Sequence, residues 1–87
     1  MTAATRLAEL GVSLPAVAAP LAAYVPAVRT GNLVYTSGQL PLAGGELIRT
    51  GKVGAEVSPE DAKAAARTCA LNALAAIDAL VGIDSVV

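Results

Sequence analysis

The chain has 87 residues, 55% of them hydrophobic, with six basic and seven acidic side chains and a net charge of −1. With no histidine and a single cysteine, a His/Cys metal site, an internal disulfide and Ser-His or Cys-His catalysis are all excluded. The balanced charge, two tyrosines and absence of Phe and Trp leave neither a basic stripe nor stacking platforms for nucleic acid.

In chain order, residues 5–10 read as a short helix that Gly11 stops. The N-terminal stretch has one arginine and many small residues, as a signal peptide has. Glu9, Pro15 and Pro20 interrupt any apolar core, and no apolar run reaches the roughly 18 residues of a membrane span. A reducing, cytoplasmic setting is therefore expected, which also suits the lone Cys69. The following SLPAVAAP is a Pro- and Ala-rich connector, more extended than helical. Two β-rich runs, YVPAVRT and LVYTSGQL, flank Gly31-Asn32 and read as a hairpin. PLAGGE is a loop with a Gly44-Gly45 turn, and ELIRTGKVG a short third strand or arm.

The clearest element is a helix over residues 59–81. Ser58 suits the N-cap, Pro59 the first helical position, and Glu60 and Asp61 the positive end of the helix dipole. At 100° per residue, Ala62, Ala66, Cys69, Ala70, Ala73, Ile77, Leu80 and Val81 form one apolar stripe, and Gly82 ends the helix. GIDS is then a connector, and Val86-Val87 the start of another strand. A chain that ends on entering a strand is expected to be the first part of a longer α+β domain.

The chemistry centres on YTSGQLP. Ser37 shares one strand face with Leu33, Tyr35 and Gln39, while Gly38 lies on the other. One reading is a strand end where Gly38 permits a bulge before Pro41. The other is a pocket wall, with the bare backbone of Gly38 and the Ser37 hydroxyl facing a small ligand. Ser37 is no nucleophile elbow, because G-x-S-x-G is absent. GELIRTGKV imitates a phosphate loop and fails: Gly45 to Gly51 is one residue too long, and Val53 replaces the required Ser/Thr. Lys52 is then a solvated loop lysine, Cys69 a buried structural thiol, and Arg29 a turn charge or a carboxylate partner. Asn72, awkward in mid-helix, is placed to bond a neighbouring loop, and Tyr24 is core or pocket wall.

Read together, Tyr24, Ala27-Val28, Gly31-Asn32, Tyr35, Ser37-Gly38-Gln39 and Pro41 resemble the opening motif of the Rid/YjgF family, the reactive-intermediate imine deaminases or L-PSP endoribonucleases. CALNALAAI and GIDSVV resemble the family's first long helix and the loop after it. The resemblance implies an α+β, chorismate-mutase-like fold, of which this chain carries the first half: hairpin, short third strand, long helix and start of the next strand. Residues 1–87 would form one Rid-like domain, truncated at its C-terminal side, with residues 1–23 as an N-terminal extension. The resemblance further implies a homotrimer with ligand clefts between subunits, and Tyr24, Ser37 and Gly38 as ligand-pocket residues. The activity implied is hydrolysis of a 2-imino acid to a 2-keto acid and ammonia, without cofactor; the sequence itself gives no membrane partner and argues against nucleic acid as one. The alternatives are a non-catalytic, carboxylate-binding or regulatory trimer and, more weakly, an endoribonuclease. The family's carboxylate-binding arginine and water-positioning acid belong to its second half. Neither Arg29 nor Arg67 matches them, so no catalytic residue is assigned.

Overall fold

The computed structural model describes residues 2–87. Its elements are α1 (Ala3–Glu9), β1 (Ala27–Thr30), β2 (Leu33–Thr36), β3 (Leu42–Ala43), β4 (Glu46–Leu47), α2 (Pro59–Val81) and a short 3-10 turn, Ile83–Ser85. α1 starts two residues earlier than expected because Thr2 and Thr5 form a reciprocal capping box. The Ala4 amide donates to Asp84 Oδ1 at 2.8 Å, which ties this helix to the far end of the chain.

β1 and β2 form the expected antiparallel hairpin, pairing Val28 with Tyr35 and Thr30 with Leu33 across Gly31-Asn32. Gly31 has φ +57°, a value that suits glycine. Gly44-Gly45 also turns a hairpin, but a second and separate one, in which Leu42 pairs with Leu47 and Ala43 with Glu46. The segment expected as a short third strand or arm, residues 46–54, divides accordingly. Only Glu46–Leu47 is strand, and it joins no larger sheet.

The cause lies in the glycines downstream. Residues 51–57 close on themselves: Val57 N donates to Lys52 O at 3.1 Å, Gly54 N to Val57 O at 2.7 Å, and Lys52 N to Glu56 Oε1 at 3.2 Å. Gly51 (φ +122°) and Gly54 (φ +91°) take backbone conformations that a continuous strand does not contain. Val53 makes only an isolated bridge to Val57.

α2 occupies residues 59–81 as expected, with Ser58 Oγ accepting from Asp61 N at 3.1 Å. Its buried face is rotated from the expected stripe by about one residue, roughly 100°. Asn72, Ala75 and Ala76 are buried, whereas Ala66, Ala70 and Leu80 are exposed. The reason is polar. Asn72 Nδ2 donates to the carbonyls of both Leu40 and Leu42 at 3.0 Å, so the helix must turn this residue inward. The flanking alanines then let its backbone approach the hairpins closely. The buried set that results is small: Val57, Ala75, Ala76 and Ile83, with Asn72 as the buried polar side chain among the described residues.

By length and composition α2 is long and apolar enough to cross a membrane, although charged residues break its apolar run in the sequence. Its Asn72 anchor and its contacts with β1, β2 and β3 are those of a core helix. The expected GIDS connector is a 3-10 turn: Ile83–Ser85 turns back on α2, where Ile83 N donates to Asp78 Oδ1 at 2.9 Å. Val86 is extended but unpaired among the described residues.

Candidate functional site

Ser37 follows the last residue of β2, and its backbone continues the hairpin by one bond, N–H to Pro26 O at 3.0 Å. Its hydroxyl donates to the same carbonyl at 3.3 Å. The Ser37 proton is thus turned inward, which leaves the oxygen's lone pairs as the group it can offer a ligand. Gln39 Nε2 donates to Ser37 O at 3.4 Å, a long bond that holds the strand exit.

Gly38 has ordinary negative φ, and a Cβ built on it would meet nothing within 4 Å. Its backbone is exposed without being strained. A turn therefore does not require glycine here, and the bare peptide is what distinguishes the position.

Tyr24 approaches from the connector. Its backbone N–H donates to Ala22 O at 2.9 Å, and its hydroxyl accepts from Leu21 N at 3.4 Å. Tyr24, Ser37 and Gly38 line a single cavity of about 10 Å³, together with Leu21, Pro26 and Gln39. That is room for about one water molecule. Residues 18–21 supply a wall that sequence reasoning missed, because an Ala-Pro connector carries no side chain that signals chemistry.

The remaining sequence candidates fall elsewhere. Arg29 Nε donates to Gly31 O at 2.9 Å, so the arginine braces its own turn at the exposed hairpin tip. Cys69 is half-buried on α2. Lys52 is exposed in the closed 51–57 loop, and no helix begins there to hold a phosphate. Among the described residues, no group of three or more His, Cys, Asp or Glu side chains comes together as a metal site would require.

One long helix packed on two antiparallel hairpins, with a polar strand exit beside a small cavity, defines an α+β architecture. The family model described as YjgF/chorismate mutase-like, putative endoribonuclease, matches residues 4–87, and the chain belongs to this family. Among curated proteins it is similar to Protein TCP17 of Trypanosoma cruzi, with 40% identity over 79 residues that cover 91% of this chain and 49% of the relative. Among solved structures it resembles a putative endoribonuclease from Shewanella oneidensis with 38% identity and a TM-score of 0.88, covering 98% of this chain and 56% of that one. It also resembles Atu1372 from Agrobacterium tumefaciens, a protein of unknown function, with 45% identity and a TM-score of 0.75, covering 92% of this chain and 48% of that one. The chain thus spans about half the length of these relatives, and its fold is a partial chorismate-mutase-like fold.

Proposed function

We propose that this chain supplies one wall of an inter-subunit cleft in which a Rid-like homotrimer hydrolyses small 2-imino acids. The observation that carries the reading is the convergence of Tyr24, Ser37 and Gly38 on one cavity, in a chain that belongs to the YjgF family. The cavity of about 10 Å³ is too small for an amino-acid-sized molecule, so a substrate needs further walls from another chain or segment. Exposed apolar surface on the hairpin supports such assembly. Val28, Leu33 and Tyr35 share one face of the β1–β2 pair and are 50%, 58% and 55% exposed.

In the proposed reaction, water adds to the imine carbon, the C=N bond becomes single, and the resulting carbinolamine expels ammonia as the C=O bond forms. Ser37 Oγ and the Gly38 peptide would orient the imino acid or the attacking water, and Tyr24 would bound the cleft. The carboxylate-binding arginine and the acid are assigned to the family's second half. The test is ammonia release from a freshly generated 2-imino acid, measured for the native-length protein beside the 87-residue chain. Release above the buffer rate by the native-length protein supports the proposal, and its absence from an intact trimer removes it.

A second reading rests on one observation: among the described residues, Tyr24 is the only one on the cavity wall with an ionisable side chain, so the wall itself offers no carboxylate to act as a base. Non-catalytic binding of a small carboxylate in the same cleft then replaces turnover, and saturable keto-acid binding without ammonia release distinguishes it. An endoribonuclease role is the weakest reading, because a net charge of −1 gives RNA little to hold.

A further inference from the structure

We propose that the recess between the 15–21 connector and the β3–β4 hairpin binds a small neutral molecule with an apolar body and one N–H or O–H donor. The recess has a volume of about 360 Å³, and its walls include Val17, Ala18, Leu21, Leu42 and Gly44, with Asn72 of α2 contributing the only polar side chain among the described residues. That volume lies within the range of small-molecule sites, about 300–1,000 Å³.

The polar group is oriented by its neighbours. Asn72 is 2% exposed, and both Nδ2 bonds go to backbone carbonyls, those of Leu40 and Leu42. This fixes which end of the amide is nitrogen and leaves Oδ1 as the free end. No donor among the described residues reaches Oδ1. Nor is any fully buried side-chain oxygen or nitrogen left without a partner, so Oδ1 must retain a small open surface. Asn72 lines this recess, and in the proposed complex the ligand's donor bonds to Oδ1 there.

The same wall sets the class of ligand. No lining side chain is ionisable, so a carboxylate or an ammonium would enter without a counter-charge and lose its hydration. The ligand is therefore chemically unlike the imino acid proposed for the neighbouring cavity, although Ala18, Ala19, Leu21 and Leu42 border both. One acceptor in an apolar surround selects a molecule shaped like indole, with a flat apolar body and a single N–H.

The test is an amide-resolved NMR titration of the protein with indole, with indene as the isostere that lacks a donor, and with benzoate. The expected result is saturable movement of the Gly44, Gly45 and Asn72 side-chain amide signals with indole. Indene should bind about fivefold or more weakly, the loss of one hydrogen bond, and benzoate should not compete. Ala16→Phe, on the exposed connector wall, should weaken indole about tenfold while the spectrum keeps its folded dispersion. Equal binding of indole and indene, displacement by benzoate, an Ala16→Phe variant that binds as before, or no saturable shift would each overturn the assignment. None of these outcomes depends on ammonia release, so the imino-acid reading stands or falls separately.

Discussion

Asn72 Nδ2 donates to the Leu40 carbonyl at 3.0 Å, joining the middle of the long helix to the strand exit 32 residues earlier. A second bond of the same length goes to Leu42 O, so one side chain pins the segment that carries the candidate cleft wall onto the helix. Truncation in Asn72→Ala removes both bonds, and Leu42 O must find water while Leu40 O keeps the 2.8 Å bond from Leu42 N. A loss of about 2–4 kcal/mol in unfolding free energy is expected, measured by urea denaturation. A loss below about 1 kcal/mol would mean that Leu40–Leu42 is held by other contacts.

Gly51 tests the closed loop before α2. A Cβ at this position would lie 2.6 Å from Glu56 Cβ, and its φ of +122° disfavours any L side chain. Gly51→Ala should cost about 1–3 kcal/mol and open residues 52–57, seen as faster hydrogen exchange at the Val57 amide. Unchanged exchange would show that the loop absorbs the methyl group by shifting.

The cap at Ser58 offers a milder change. Its hydroxyl accepts from Asp61 N at 3.1 Å. Ser58→Ala should cost about 1 kcal/mol without altering helix content at room temperature, as followed by circular dichroism during heating. Ser58→Asp should restore most of that loss.

Self-association is tested on the hairpin's outer face. Leu33 is 58% exposed beside Tyr35 at 55%, on the face proposed to meet other subunits. Leu33→Asp on the native-length protein should lower the mass seen by light scattering from three chains to one, because a carboxylate is costly to bury in an apolar contact. Persistence of the larger species would move the interface elsewhere.

Ser37→Ala separates folding from chemistry. The variant loses the 3.3 Å hydroxyl bond to Pro26 O and keeps the 3.0 Å backbone bond to the same carbonyl. A stability loss of less than about 1 kcal/mol is expected. Under the proposed reaction, ammonia release should fall about tenfold, equivalent to one lost contact to the reacting molecule. An equal rate would confine Ser37 to a structural role.

The elements that sequence alone determined are those whose signals are local. The β1–β2 hairpin follows from two β-rich runs around Gly31-Asn32, and α2 from Ser58, Pro59, Glu60, Asp61 and Gly82, all of which act within a turn of the element they begin or end. The family motif from Tyr24 to Pro41 was equally legible, since it is a string of residue types. Tertiary structure alone decided which face of α2 turns inward. The apolar stripe predicted burial of Ala66, Ala70 and Leu80, but Asn72 turns inward to donate to the carbonyls of Leu40 and Leu42, with Ala75 and Ala76 buried beside it. A buried amide without partners costs more than an exposed alanine or leucine, so the polar demand overrode the hydrophobic pattern. The 51–57 loop is instead closed by bonds only three to five residues apart, where Glu56 and Val57 turn back on Lys52 and end the expected third strand, a geometry that the strand-like residue types did not reveal. The approach of residues 18–21 to Ser37 was beyond reach for a related reason, because an alanine's place in a cavity depends wholly on what folds against it.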